Sequence, residues 1–127
     1  MLANVIKVFL LNIAHQIPTL GPGCPCARLH GHNLKVTVTV RGIVNPLTGV
    51  VLDFYQINDA WAPIHEALDH RYLNDVEGLA IPSMEQIASW IWFRLLAPLC
   101  STDRAYALYS VAVWEGDTDG CEFKGDL

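Results

Sequence analysis

The chain has no run of lysine or arginine, no apolar stretch of membrane-spanning length, no internal repeat and no low-complexity tract. Each absence excludes something. Eight scattered basic residues against thirteen acidic ones, a net charge of −5, argue against nucleic acid as the main partner. Val5 to Ala14 is mostly apolar, but it is too short to cross a bilayer. Lys7 and Asn12 interrupt it and no small-x-small cleavage site follows, so it reads as a buried strand of a cytoplasmic protein rather than a signal segment. Cysteine is sparse: Cys24, Cys26, Cys100 and Cys121. Without a secretory context, reactivity or metal binding is a better question for them than a disulfide framework.

What is present is a folded-domain composition, 52% hydrophobic and 17% charged in 127 residues. That length fits one domain, 1–127. So large an apolar fraction in so small a chain points to burial between subunits, hence a homo-oligomer.

Residues 5–15 are β-compatible, with Val5, Phe9, Leu11 and Ile13 on one parity and His15 closing the row. Residues 32–42 alternate, placing Leu34, Val36, Val38 and Val40 on one face. After the turn signals Asn45-Pro46 and Thr48-Gly49, Val50 to Leu52 reads as a short return strand. Asp53 caps a helix whose stripe is Phe54, Ile57, Trp61, Ile64 and Leu68, with Pro63 expected to kink or shorten it. Ser83 and Gln86 resemble a capping box for a second helix with Ile87, Ile91 and Leu95 inward. Tyr106 to Glu115 is a strand, residues 116–120 a hairpin loop, and Cys121 to Lys124 the return. Strands, two helices and strands make an α+β fold, an antiparallel sheet with both helices on one face.

His30 and His32 share a strand face, and His15 ends the matching row of the first strand. If these strands pair antiparallel, three imidazoles meet at one rim. Three neutral imidazoles are a ligand set for catalytic zinc, leaving a fourth position open. A single histidine is more often a satisfied core or capping residue; three on matching parities beside a cysteine favour metal. The competing arrangement is a closed structural site from Cys24, Cys26, His30 and His32, which leaves His15 without a role.

These residues stand in motifs that resemble the 6-pyruvoyl-tetrahydropterin synthase and 6-carboxytetrahydropterin synthase family: AH at 14–15, CARLHGHN at 26–33, TGVVLDF at 48–54, LDHRYLN at 68–74, PSMEQIASWIW at 82–92 and VWEGD at 113–117. The Cys26-x3-His30 spacing is similar to the carboxy branch, while Cys24 stands at the longer spacing of the pyruvoyl branch. The resemblance implies a ββααββ tunnelling-fold unit that assembles into barrel-like oligomers with sites between subunits. It implies zinc on His15, His30 and His32, Cys26 as catalytic thiol with Asp69 and His70 assisting it, and Glu115 anchoring a pterin ring near Ser83 and Met84. The implied substrate is 7,8-dihydroneopterin triphosphate, the second product of the carboxy branch is acetaldehyde, and the implied pathway is queuosine synthesis. Related readings are the pyruvoyl-type synthase, a pterin side-chain aldolase, and a non-catalytic zinc-binding assembly module.

Some positions depart from the family pattern. Leu11, Asn12, Ile13 and Ala14 stand where an aromatic and small residues are usual, Gln16 replaces a common basic residue, and Ile81 and Gly116 stand where polar residues are frequent. None removes a catalytic group. Arg28, Lys35 and Arg71 are the cations nearest the motifs for a triphosphate. His65 has no assigned role, and Cys100 and Cys121 read as small core or surface residues.

Overall fold

A computed structural model describes residues 1–126. The two alternating segments become strands of 14 residues each, β1 (Leu2–His15) and β2 (His30–Ile43). They pair antiparallel without interruption, from Leu2 opposite Ile43 to His15 opposite His30. This register puts Leu11, Ile13, Leu34, Val36, Val38 and Val40 together on one buried face. A one-residue slip would turn that whole row to the other side, so the apolar pattern itself fixes the register.

Beyond β2 lie β4 (Tyr106–Glu115) and β5 (Asp119–Phe123), both antiparallel. On the other edge a two-residue strand, β3 (Arg71–Tyr72), runs parallel to β1 at Ile13 and Ala14. The sheet is therefore mixed, in the order β3-β1-β2-β4-β5. The sequence reading missed β3 because two residues carry no periodicity.

The expected return strand at 50–52 does not form. Both edges of β2 are already taken by β1 and β4. Met1 and Ala105 accept from Val44 and Ile43 at its end. No backbone edge is left for Val50–Leu52, and Leu52 instead buries its side chain in the core.

The helix α1 (Phe54–Leu68) starts at Asp53, whose Oδ1 accepts the Tyr55 N–H at 2.9 Å while Gln56 Oε1 accepts the Asp53 N–H. It buries Ile57, Trp61, Ile64 and Leu68, whereas Phe54 stays exposed. Pro63 lies inside α1, which continues through it. Pro63 and Asp59, whose carbonyl loses its partner, are both exposed, so water can take that carbonyl.

The helix α2 (Met84–Leu95) is capped by Ser83, whose hydroxyl accepts the Gln86 N–H at 3.1 Å. The reciprocal half of the expected box is absent. Ser83 gives its own N–H to the Ile81 carbonyl.

Both helices lie on the buried face. Phe9 stacks on Trp61 with ring centroids 4.4 Å apart, and Ile87, Ile91 and Leu95 complete the core. On the other parity of β1, Leu2, Ile6, Val8 and Leu10 are exposed, Leu10 by 70%.

Candidate metal centre and active site

The β1–β2 register places His15 directly opposite His30, with His32 on the diagonal. Their ring centroids are 4.5, 4.7 and 5.1 Å apart. One ring nitrogen from each lies within 4.8 Å of the others, so the cluster can hold a metal ion. Gly31, between the two β2 histidines, faces the other strand closely: a Cβ there would lie 3.3 Å from the Ile13 carbonyl.

Two of the rings are fixed by backbone oxygens that carry no side-chain signature. His15 Nδ1 lies 2.7 Å from the buried Pro82 carbonyl, and His30 Nδ1 lies 2.6 Å from the Arg28 carbonyl. Only a protonated Nδ1 can donate to a carbonyl, so each contact leaves Nε2 as a free lone pair.

The Nε2 atoms of His15 and His32 are buried and have no hydrogen-bond partner among the described residues. Glu115 Oε2 comes within 2.8 Å of His32 Nε2, but without the alignment of a hydrogen bond. Buried polar atoms left in this way are costly unless something binds them. A cation suits the His15 nitrogen, which has no carboxylate neighbour of that kind among the described residues. Burial holds the His15 pKa below its ordinary value, with the neighbouring His30 and His32 adding to the effect and the Pro82 contact opposing it. The ring therefore stays neutral, the form a metal needs.

Beside the cluster is a cavity of about 320 Å³ whose lining includes His15, His30, Cys26, Ser83, Met84 and Glu115. Cys26 sits in a single 3-10 turn, Pro25–Ala27, and is half-buried. The same segment supplies the Arg28 carbonyl that orients His30. The Cys26 thiol is pushed up by its contact with the Cys24 thiol, with partial desolvation and Glu115 acting the same way. Within one chain His70 lies outside this cavity.

Asp69 and His70 do pair, with Asp69 Oδ2 2.7 Å from His70 Nδ1. His65 Nε2 approaches the same oxygen at 3.4 Å. The other carboxylate oxygen accepts the Asn12 N–H, and this bond, followed by the His70 contact, holds the Asp69 carboxyl below its usual range. His70 is in the left-handed region, φ 57°, and its side chain is 75% exposed. It lines a second cavity of about 500 Å³ with Asn12, His32 and Arg71. The structure thus gathers seven of the nine predicted site residues around one rim and sets the Asp69–His70 pair outside it.

An α+β sheet with three convergent imidazoles at its rim and a thiol in the adjoining cavity defines an enzyme scaffold built around a possible metal centre. Comparison with known proteins is specific. The model of the family "6-pyruvoyl tetrahydropterin synthase" matches residues 4–126, and the chain belongs to that family. It is 38% identical over 96 residues to the 6-carboxy-5,6,7,8-tetrahydropterin synthase of Synechocystis, covering 72% of this chain and 73% of that protein. It is 36% identical over 101 residues to the human 6-pyruvoyl tetrahydrobiopterin synthase, covering 76% and 67%. The solved 6-pyruvoyl tetrahydropterin synthase of Caenorhabditis elegans superposes with a TM-score of 0.86 at 23% identity, over 99% of this chain and 97% of that one. That last likeness supports the fold.

Proposed function

We propose that this protein is a zinc-dependent carbon–carbon lyase. It converts 7,8-dihydroneopterin triphosphate to 6-carboxy-5,6,7,8-tetrahydropterin with loss of triphosphate and acetaldehyde, as a step of queuosine synthesis. The observation that carries this reading is the His15–His30–His32 cluster, whose buried His15 Nε2 has no hydrogen-bond partner among the described residues, beside a cavity that also holds Cys26 and Glu115. The Synechocystis relative bears the carboxytetrahydropterin name, and three residues separate Cys26 from His30, as in the branch that the sequence resembles.

His15, His30 and His32 would hold the zinc, which when bound supplies positive charge that acidifies side-chain hydroxyls and offsets the upward push on the Cys26 thiol. Cys26 acts as the base that takes a proton from the substrate side chain. Glu115 accepts the adjacent amino and ring N–H groups of the pterin, a two-donor edge suited to a carboxylate. Ser83, whose lone pair already takes the Gln86 N–H, keeps its own O–H free to donate, and Met84 offers an apolar flank.

Asp69 fixes His70 with Nδ1 toward the carboxylate, so that Nε2 points outward as the proton-transfer atom. In this reading His70 serves the thiol of a neighbouring subunit. Its exposure, the exposed Leu2–Leu10 row and the open edge of β5 all favour a homo-oligomer with sites between subunits.

Incubation of the zinc-loaded protein with dihydroneopterin triphosphate tests the reading. Acetaldehyde and carboxytetrahydropterin are the expected products. A pyruvoyl product would move the chain to the other branch, which the human relative and the position of Cys24 favour. No turnover, with zinc held by two sulfurs, would make it an assembly module.

A further inference from the structure

The segment that carries Asp69 and His70 docks along the outer edge of β1 as a short ladder. The His70 N–H donates to the Asn12 carbonyl at 2.6 Å, and Arg71 and Tyr72 pair with Ile13 and Ala14. Backbone pairing then stops, because Leu73 buries its side chain and residues Leu73–Asp75 turn into a 3-10 helix. The ladder nevertheless gains one more rung. Asn74 Oδ1 accepts the Gln16 N–H at 3.0 Å, and Asn74 Nδ2–H donates to the Gln16 carbonyl at 2.8 Å. A primary amide carries a donor and an acceptor side by side, as an extended backbone does, and both are used here.

Gln16 is the residue after His15. The next N–H, that of Ile17, donates to the Cys26 carbonyl at 2.8 Å. One amide side chain therefore holds the peptide whose two neighbours are a metal ligand and the partner of the thiol-bearing turn. We infer that Asn74 is a positioning residue: its paired bonds to the Gln16 backbone set the spacing between the His15 imidazole and the Cys26 thiol. This rests on the proposed metal role of His15, and no contact of Asn74 with substrate is involved. The Gln16 side chain contributes nothing to the two bonds, which accounts for a glutamine being acceptable at that position.

The test uses the full-length protein and zinc alone as probe. Asn74→Ala should weaken zinc about 10- to 100-fold in competition with a chromophoric chelator, the usual effect of removing a group that orients a ligand. In the metal-free protein the same change should speed hydrogen exchange at the Ile17 N–H, with far-ultraviolet dichroism unchanged. In turnover, kcat should fall while KM stays close to the parent value, since substrate contacts are untouched.

Asn74→Asp gives a second arm should the alanine variant fail to fold. It keeps one acceptor but turns the donor into an oxygen facing the Gln16 carbonyl, and zinc should weaken by a similar factor. Parent-like zinc affinity in either folded variant, or parent-like exchange at Ile17, overturns the inference. A protein that binds zinc in this Asn74-dependent way but turns over no pterin would sink the proposed function and leave the positioning role standing.

Discussion

At the end of β1, His15 is 1% exposed, held by the Pro82 carbonyl and faced by two other imidazoles. Three residues earlier the same strand carries, through Asn12, the Asp69–His70 pair, where the imidazole is 75% exposed. One strand end thus supports a nearly finished cluster and an unfinished pair. The three-histidine cluster, which could hold a metal ion, lies within one chain, with two of its rings oriented by carbonyls. The acid–histidine half is oriented by Asp69 yet faces outward. If His70 transfers protons, as proposed above, it gains little from being so well fixed in open solvent, and a second protein surface would complete the site.

The largest expected effect separates the halves directly. His15→Ala or His30→Ala should abolish zinc binding and activity together, whereas Asp69→Asn or His70→Ala should leave zinc at parent stoichiometry, measured by metal analysis. Zinc lost from His70→Ala would erase the distinction. Cys26→Ala should lower kcat by about 10²- to 10⁴-fold, the range for removing a general acid or base, with zinc retained. Activity regained on co-assembling Cys26→Ala with His70→Ala chains would show that the halves meet across subunits. Inactive mixtures would place both in one chain.

Most of the metal half was legible in the sequence because it depends on parity. Once residues 5–15 and 32–42 alternate, His15, His30 and His32 must share a face, and antiparallel pairing brings them to one rim. The helix stripe Ile57, Trp61, Ile64 and Leu68 was readable for the same reason. What sequence could not supply was anything carried by backbone atoms. The Pro82 and Arg28 carbonyls that orient the rings have no side-chain pattern, and β3 is too short to have a period. The strand expected at 50–52 failed because propensity says nothing about which sheet edges remain free. Asn74 lay in a motif, but its task appears only when Gln16 is seen beside it.

The core beneath both halves should respond in stability rather than chemistry. Leu34→Ala deletes a fully buried side chain opposite Glu115 and should cost about 2–5 kcal/mol in denaturant unfolding. Acid affects the metal half through His15. Its folded pKa is depressed below the ordinary 6.5, so the unfolded chain binds a proton first. Metal-free protein should hold this contribution above about pH 6.5 and lose it progressively as pH falls below that, and His15→Asn should flatten that limb of a stability–pH curve. An unchanged limb would mean that the ring is less desolvated than its burial indicates.

The smallest effect serves as the control that gives the others meaning. Asp53 lies at the start of α1, and its carboxylate accepts the Tyr55 N–H while Gln56 closes the box. The same residue falls within the family-like stretch TGVVLDF, which leaves a functional role as the lesser alternative to capping. The geometry decides between them: Asp53 lines neither the cavity of Cys26 nor that of His70. Asp53→Ala should therefore cost about 1 kcal/mol, as loss of an N-cap does, and leave zinc affinity and kcat at parent values. Asp53→Asn, which keeps an acceptor at the cap, should recover most of the stability. A fall in kcat that Asp53→Asn does not restore would assign the carboxylate a charge-dependent role, and the division of the site into two halves would then need a third member.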